Sequence, residues 1–215
     1  MITFKQLQGR ILRMVGDPNG AFYTSEIVMD AINAALDAIL PWIPKLGIST
    51  ITGDGATKTF DLPDDCYEVE AIVAQLTGEA LSRVVFAPGV VFSELTSTEN
   101  LWILAPDNQI TFARAIGTDS PYDIRYLKTW SKITDTTQFD SAIEPPDWTV
   151  TGLTLYASAQ LLIAASLDTS NLRQYNTKVD SGTPEDNPLQ QSITYLLKLF
   201  HQEMNRHPKY QRAQV

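Results

Sequence analysis

The chain has 215 residues, 44% of them hydrophobic and 19% charged, the proportions of a folded protein with a real core. Acids outnumber bases 25 to 16, and the formal net charge of −9 argues against tight nucleic-acid binding, which depends on Lys and Arg releasing counterions. Cys66 is the one cysteine, so no internal disulfide forms. The opening "MITFKQLQGRILRM" lacks the apolar run of a secretion signal, and "LYASAQLLIAASL" is short and interrupted for a bilayer span. A soluble chain made in a cytoplasm, with no membrane partner, is expected.

Phe4, Leu7, Ile11 and Leu12 recur at helical spacing, with Val15 closing the stripe, and predict a first helix. Gly16-Asp17-Pro18-Asn19-Gly20 stops it with strong turn chemistry. Thr24 or Ser25 caps a second helix over "EIVMDAINAALDAIL", with Glu26 in its first turn. Ile27, Ala31, Ala34, Ala35 and Ile39 are its expected buried face, and Pro41 ends it.

After Pro44 the pattern changes. "ISTITGDGATKTFDL" alternates as a β-hairpin with Asp54-Gly55 at its turn. Short strands are expected in "YEVEAIVAQLT", "LSRVVF", "LWILA", "QITFARA" and "YDIRYLKTW". Turn signals at Gly78, Pro88-Gly89, Pro106-Asp107-Asn108 and Gly117-Thr118-Asp119 separate them. A loop from Ser131 to Trp148, with Pro145-Pro146, leads out.

Helix returns in "DWTVTGLTLYASAQLLIAASL", with Leu153, Tyr156, Ala157, Gln160, Leu161 and Ala164 on one broad face. A polar linker with Gly182 and Pro184 follows, and Asn187 caps "PLQQSITYLLKLFHQEMNR" with Pro188 at its first position. His207-Pro208 ends that helix. The expected fold is therefore α+β. Two N-terminal and two C-terminal helices form a four-helix core over 1–45 plus 148–206. An antiparallel β domain is inserted at 46–147, and an extended tail occupies 207–215.

Candidate chemistry is sparse. Asp61, Asp64, Asp65, Glu68 and Glu70 crowd one stretch, but strand alternation places Glu68 and Glu70 on one face while the others lie at a strand end or in a turn. These oxygens splay instead of converging on a metal, and the spacing of a calcium-binding loop is missing. The apolar side of the same stretch is Phe60, Leu62, Val69 and Ile72. "GDGATKT" opens a strand and not a helix, so it reads as a turn and not a phosphate loop. His201, Glu203 and His207 do not share a helix face in the way zinc ligands must. Cys66 has no histidine or basic neighbour in sequence to make it a nucleophile. Trp42, Trp102, Trp130 and Trp148 read as core and interface anchors. No catalytic, cofactor or metal residue is assigned. From Lys198 onward the bases Lys198, Arg206, Lys209 and Arg212 face the single acid Glu203, giving an acidic body a basic tail.

The helix ending in "GDPNG", the helix carrying "AINAALDAIL", and "KTFDLPDDCYEVEAIV" together resemble tailed-bacteriophage head–tail connector proteins, also called adaptor or head-completion proteins. "LWILAPDNQITFARA", "YDIRYLKTW" and "GLTLYASAQLLIAASL" extend the resemblance over most of the chain. It implies a structural, non-enzymatic virion protein in the neck between capsid and tail, made in the host cytoplasm. Such proteins form a homo-oligomeric ring of about twelve copies beneath the portal. The ring continues the DNA channel without holding DNA tightly and receives tail or nozzle proteins. By position, Arg206, His207, Lys209, Tyr210, Arg212 and Val215 are the portal-docking residues it implies. Two other readings remain: another neck or tail-tube subunit, and a hydrolase using a carboxylate pair such as Asp64 with Glu68.

Overall fold

The computed structural model describes residues 2–84, 101–176 and 188–207. It is mixed α+β, with four α-helices and two small sheets among those residues. The described residues divide into two compact units, one from those up to Pro44 and from Trp130 onward, the other from Lys45–Thr129.

The helical unit begins with α1, Phe4–Met14. Thr3 and Gln6 form a reciprocal capping box at its start, each satisfying the other's backbone N–H. Phe4, Leu7, Ile11 and Leu12 are buried, as the spacing predicts. The "GDPNG" turn is built around Asp17, which is 4% exposed. Its carboxylate accepts the backbone N–H groups of Ala21 and Phe22 at 2.8 Å and of Tyr23 at 3.0 Å. Gly16 and Gly20 flank it at φ +79° and +64°, the left-handed region that side chains disfavour. Burial pushes the Asp17 carboxyl up, and the three backbone bonds outweigh it and hold it below the usual carboxylate range.

Thr24 then caps α2, Ser25–Ala38. The buried face of α2 is Val28, Ala31, Ile32, Ala35 and Leu36, with Ile39 just beyond. This is rotated from the expected face: Ile27 is 42% exposed and Ala34 only half-buried. Ile27 and Val28 are adjacent apolar residues, and the sequence does not say which begins the stripe.

The stretch after Trp130 belongs with these helices and is not an open loop. Ile133, Phe139 and Ile143 are buried in the same apolar cluster as α1 and α2. Short 3-10 turns at Thr136–Asp140 and Asp147–Thr149 shape it, and it is stitched to the N-terminus by Phe4 N–H to Ser141 O and Ile143 N–H to Ile2 O. Helix α3, Val150–Asn176, follows. Leu153, Ala157 and Leu161 are buried as expected, but Thr154, Leu155, Ser158 and Ala159 are buried too, so this part is enclosed nearly all round. The window Asp147–Ser166 is long and apolar enough to cross a membrane by length and composition, and 56% of it is buried within the protein. Helix α4, Pro188–Met204, begins on the expected proline. Its expected cap Asn187 and the linker with Gly182 and Pro184 lie outside the described residues.

The second unit contains β1 (Lys45–Ile51), β2 (Thr59–Asp61), β3 (Cys66–Ala74), β4 (Ser82–Arg83), β5 (Leu101–Ala105), β6 (Gln109–Phe112) and β7 (Tyr122–Lys128). One sheet has the order β1-β7-β3, the other β2-β6-β5-β4. The expected hairpin between β1 and β2 does not form. Strand β1 pairs with β7 and β2 with β6, so the Asp54-Gly55 turn links two different sheets. The pairing β4–β5 is parallel, an exception to the expected antiparallel arrangement. The turn between β5 and β6 is as expected, with Asp107 and Asn108 both at left-handed φ. One apolar cluster draws on both sheets and includes Val69, Ile72, Trp102, Ile110, Phe112, Ile124 and Tyr126.

Candidate functional site

The end of α4 is where the expected docking segment begins. Phe200 and Met204, one turn apart, are 1% and 0% exposed and anchor the last turn. Around them an aromatic seat is assembled from parts of the chain far apart in sequence. Trp42 meets Phe200 edge-on, with centroids 5.8 Å apart and planes at 79°, and Tyr156 packs on the same ring at 5.1 Å. The Trp42 indole N–H donates to Asn205 Oδ1 at 3.3 Å. Gly152 lets α3 and α4 approach closely, since a Cβ there would lie 2.7 Å from Met204 Sδ. His207 stacks on Trp148 with centroids 3.8 Å apart and planes at 27°. Backbone bonds from Asn205 to His201, Arg206 to Glu203 and His207 to Met204 close the helix against this seat.

Of the residues expected to dock, Arg206 is exposed and pairs with Glu203 one turn back, and His207 is held against Trp148. Lys209, Tyr210, Arg212 and Val215 lie outside the described residues. The seat holds Asn205 and His207 at the end of α4. Sequence reading missed the seat because Trp42, Trp148 and His207 lie far apart along the chain. The only available signal was tryptophan at two helix boundaries.

The acidic stretch between β2 and β3 disperses. Asp61 accepts from Gln109 Nε2 at 2.8 Å. Asp65 accepts from the Tyr126 hydroxyl at 3.0 Å and pairs with Lys128 at 3.3 Å. Asp64 is exposed in the turn. Strict alternation of Glu68 and Glu70 fails, because register shifts occur between Cys66 and Glu68 and between Val69 and Ala71. These bulges let Val69 and Ile72, three apart, both enter the core. Leu62 is buried and Phe60 partly buried with them, so the expected apolar side is present. Among the described residues no three His, Cys, Asp or Glu side chains gather as a metal site.

A groove of about 470 Å³ beside this stretch is lined by Leu62, Cys66, Tyr67, Glu68, Leu104 and Asn108 among others. It holds Glu68 but not Asp64, so it does not present the carboxylate pair that acid–base hydrolysis needs. Burial, and then the charge of Asp65, pushes the Cys66 thiol up to about 11, which keeps it protonated near neutral pH.

A family model described as SU10 adaptor protein matches residues 2–212. With nearly the whole chain matched, the protein belongs to the SU10 adaptor protein family, a phage head–tail adaptor family. The search of curated proteins gave no match.

Proposed function

We propose that this member of the SU10 adaptor family is a structural neck component that assembles as a ring beneath the capsid portal, continues the DNA channel and offers a platform to tail proteins. The observation that carries the reading is the family match across residues 2–212. The helices form the body of each subunit, and the β unit faces tail components. The segment beginning at Arg206 and His207, and continuing through Lys209, Tyr210, Arg212 and Val215, grips the portal.

Physical chemistry supports the channel and the docking segment. A conduit should repel phosphate so that passing DNA is not retained, and a net charge of −9 per subunit, repeated around a ring, serves that purpose where its acids face the channel. A short basic segment gives modest affinity per contact, and repetition around a ring multiplies it. The Trp148–His207 stack and the Trp42–Asn205 hydrogen bond hold the residues at the root of that segment in place before docking.

Deleting residues 207–215 tests the docking role. The truncated protein is expected to keep its far-ultraviolet circular dichroism and to lose co-sedimentation with portal-containing capsids. Normal joining by a folded truncation would show that the segment is not the grip.

A further inference from the structure

Resting on the ring reading, we propose which surfaces of neighbouring copies meet: the basic ridge of α1 in one copy seats on the acidic start of α2 and the groove between α2 and α3 of the next. Helix α1 carries Lys5, Arg10 and Arg13 and no acid, while α2 carries Glu26, Asp30 and Asp37 and no base. One charge of each set is matched within the subunit, Lys5 with Asp140 at 3.7 Å and Asp37 with Lys132 at 2.7 Å. Arg10, Arg13, Glu26 and Asp30 are all exposed and have no ion-pair partner among the described residues.

These four charges are set in like-signed pairs. Arg10 and Arg13 are three apart on one helix face, and Glu26 and Asp30 are four apart on another, so each pair repels itself. Arg13 in the last turn of α1 and Glu26 in the first turn of α2 are favoured by their own helix dipoles. Arg10 and Asp30 sit mid-helix and have no such compensation. An opposite-signed surface relieves both pairs at once.

Each pair also has an apolar companion. Met14, 46% exposed, stands beside Arg13, and Ile27, 42% exposed, stands beside Glu26. The groove next to Ile27 and Asp30 has a volume of about 270 Å³ and small side chains, Ala34 and Ala164, along it. That is room for an apolar side chain such as Met14 beside the acid Asp30. Two bases answering two acids, each beside one apolar residue, make a second copy the occupant. The cavity beside Arg10, Arg13 and Met14 is lined further by Thr151 and Thr154, none of which lines the groove. The contact is therefore heterologous: each copy uses one surface forward and the other back, which continues around a ring instead of stopping at a dimer.

Charge-reversed variants of the full chain test this, with self-association read by sedimentation velocity and by cross-linking on purified portal. R10E/R13E and E26R/D30R are each expected to weaken association at least about tenfold, because like charges then face each other. Mixing the two variants, or combining all four changes in one chain, is expected to restore it. Circular dichroism of each variant should match wild type, since all four side chains are exposed. Wild-type association that ignores the reversals would overturn the contact and leave the ring standing. Wild type that stays monomeric both free and on portal would overturn ring and contact together.

Discussion

In the helical unit, Leu7 and Ile11 reach the core from one face of a single helix, and Val28, Ile32 and Leu36 from one face of the next. In the β unit, Ile124 of β7 lies opposite Ser49 of β1 on one side and Ile72 of β3 on the other, strands drawn from distant parts of the chain. The first kind of core is assembled from local periodicity and the second from pairings that local sequence does not encode. Each unit has its own apolar cluster, so a lesion in one should be read against the other.

The largest break is expected from Trp102→Ala. Trp102 is 1% exposed, and its indole N–H donates to Leu81 O at 3.2 Å. The loss of volume and of that bond should cost about 3–5 kcal/mol, with the β unit losing protection from hydrogen exchange before the helical unit. Uniform loss of protection across both units would show that they unfold as one.

A smaller break is expected at Gly47, which lies opposite Tyr126 in the β1–β7 ladder. A Cβ there would sit 2.5 to 2.9 Å from carbons of the Tyr126 ring, whose hydroxyl donates to Asp65. Gly47→Val should therefore cost about 1–3 kcal/mol in denaturant unfolding and release that hydroxyl. Loss of the Tyr126–Asp65 bond would also lower the tyrosine pKa, since burial and then Asp65 hold it up in the folded protein.

Acid sharpens the contrast further. Asp54 accepts the backbone N–H groups of Thr57 and Ala56, and these bonds hold its carboxyl down from 3.8 to about 2. A carboxylate lowered in this way contributes stability that is complete above its ordinary value and is lost as the pH falls from about 4 toward 2. Asp17 does the same for the helical unit. Asp54→Asn should remove Asp54's own share of the acid-side loss in the β unit and leave that of the helical unit, a difference visible in residue-resolved exchange.

The mildest change is Ser158→Ala. Ser158 is 0% exposed, and its hydroxyl has no hydrogen-bond partner in the structure among the described residues. Replacing it should be neutral or stabilising, within about 1 kcal/mol by thermal unfolding.

What could be read from sequence follows the same division. The α1 stripe, the Thr24 cap, the "GDPNG" stop and Pro188 at the start of α4 are local signals, and the structure reproduces them. Helix α3 was legible as a helix but not as a face, because small and apolar residues surround it. Most strands were found, yet the pairing of β1 with β7 and β2 with β6 was not, since alternation alone does not name a partner. The bulges in β3 broke the alternation on which the reading of Glu68 and Glu70 depended. At the candidate site, Arg206 and His207 were singled out only by their position under the family resemblance, while the Trp42–Asn205 and Trp148–His207 contacts beside them are long-range packing.

The account stands most directly on an electron-microscopic reconstruction of purified portal mixed with this protein. The expected result is a ring coaxial with the portal, with the α4 end of each subunit directed toward it and α1 of each copy against α2 and α3 of the next. Subunits that leave the portal bare, or that bind it without forming a ring, would contradict the account.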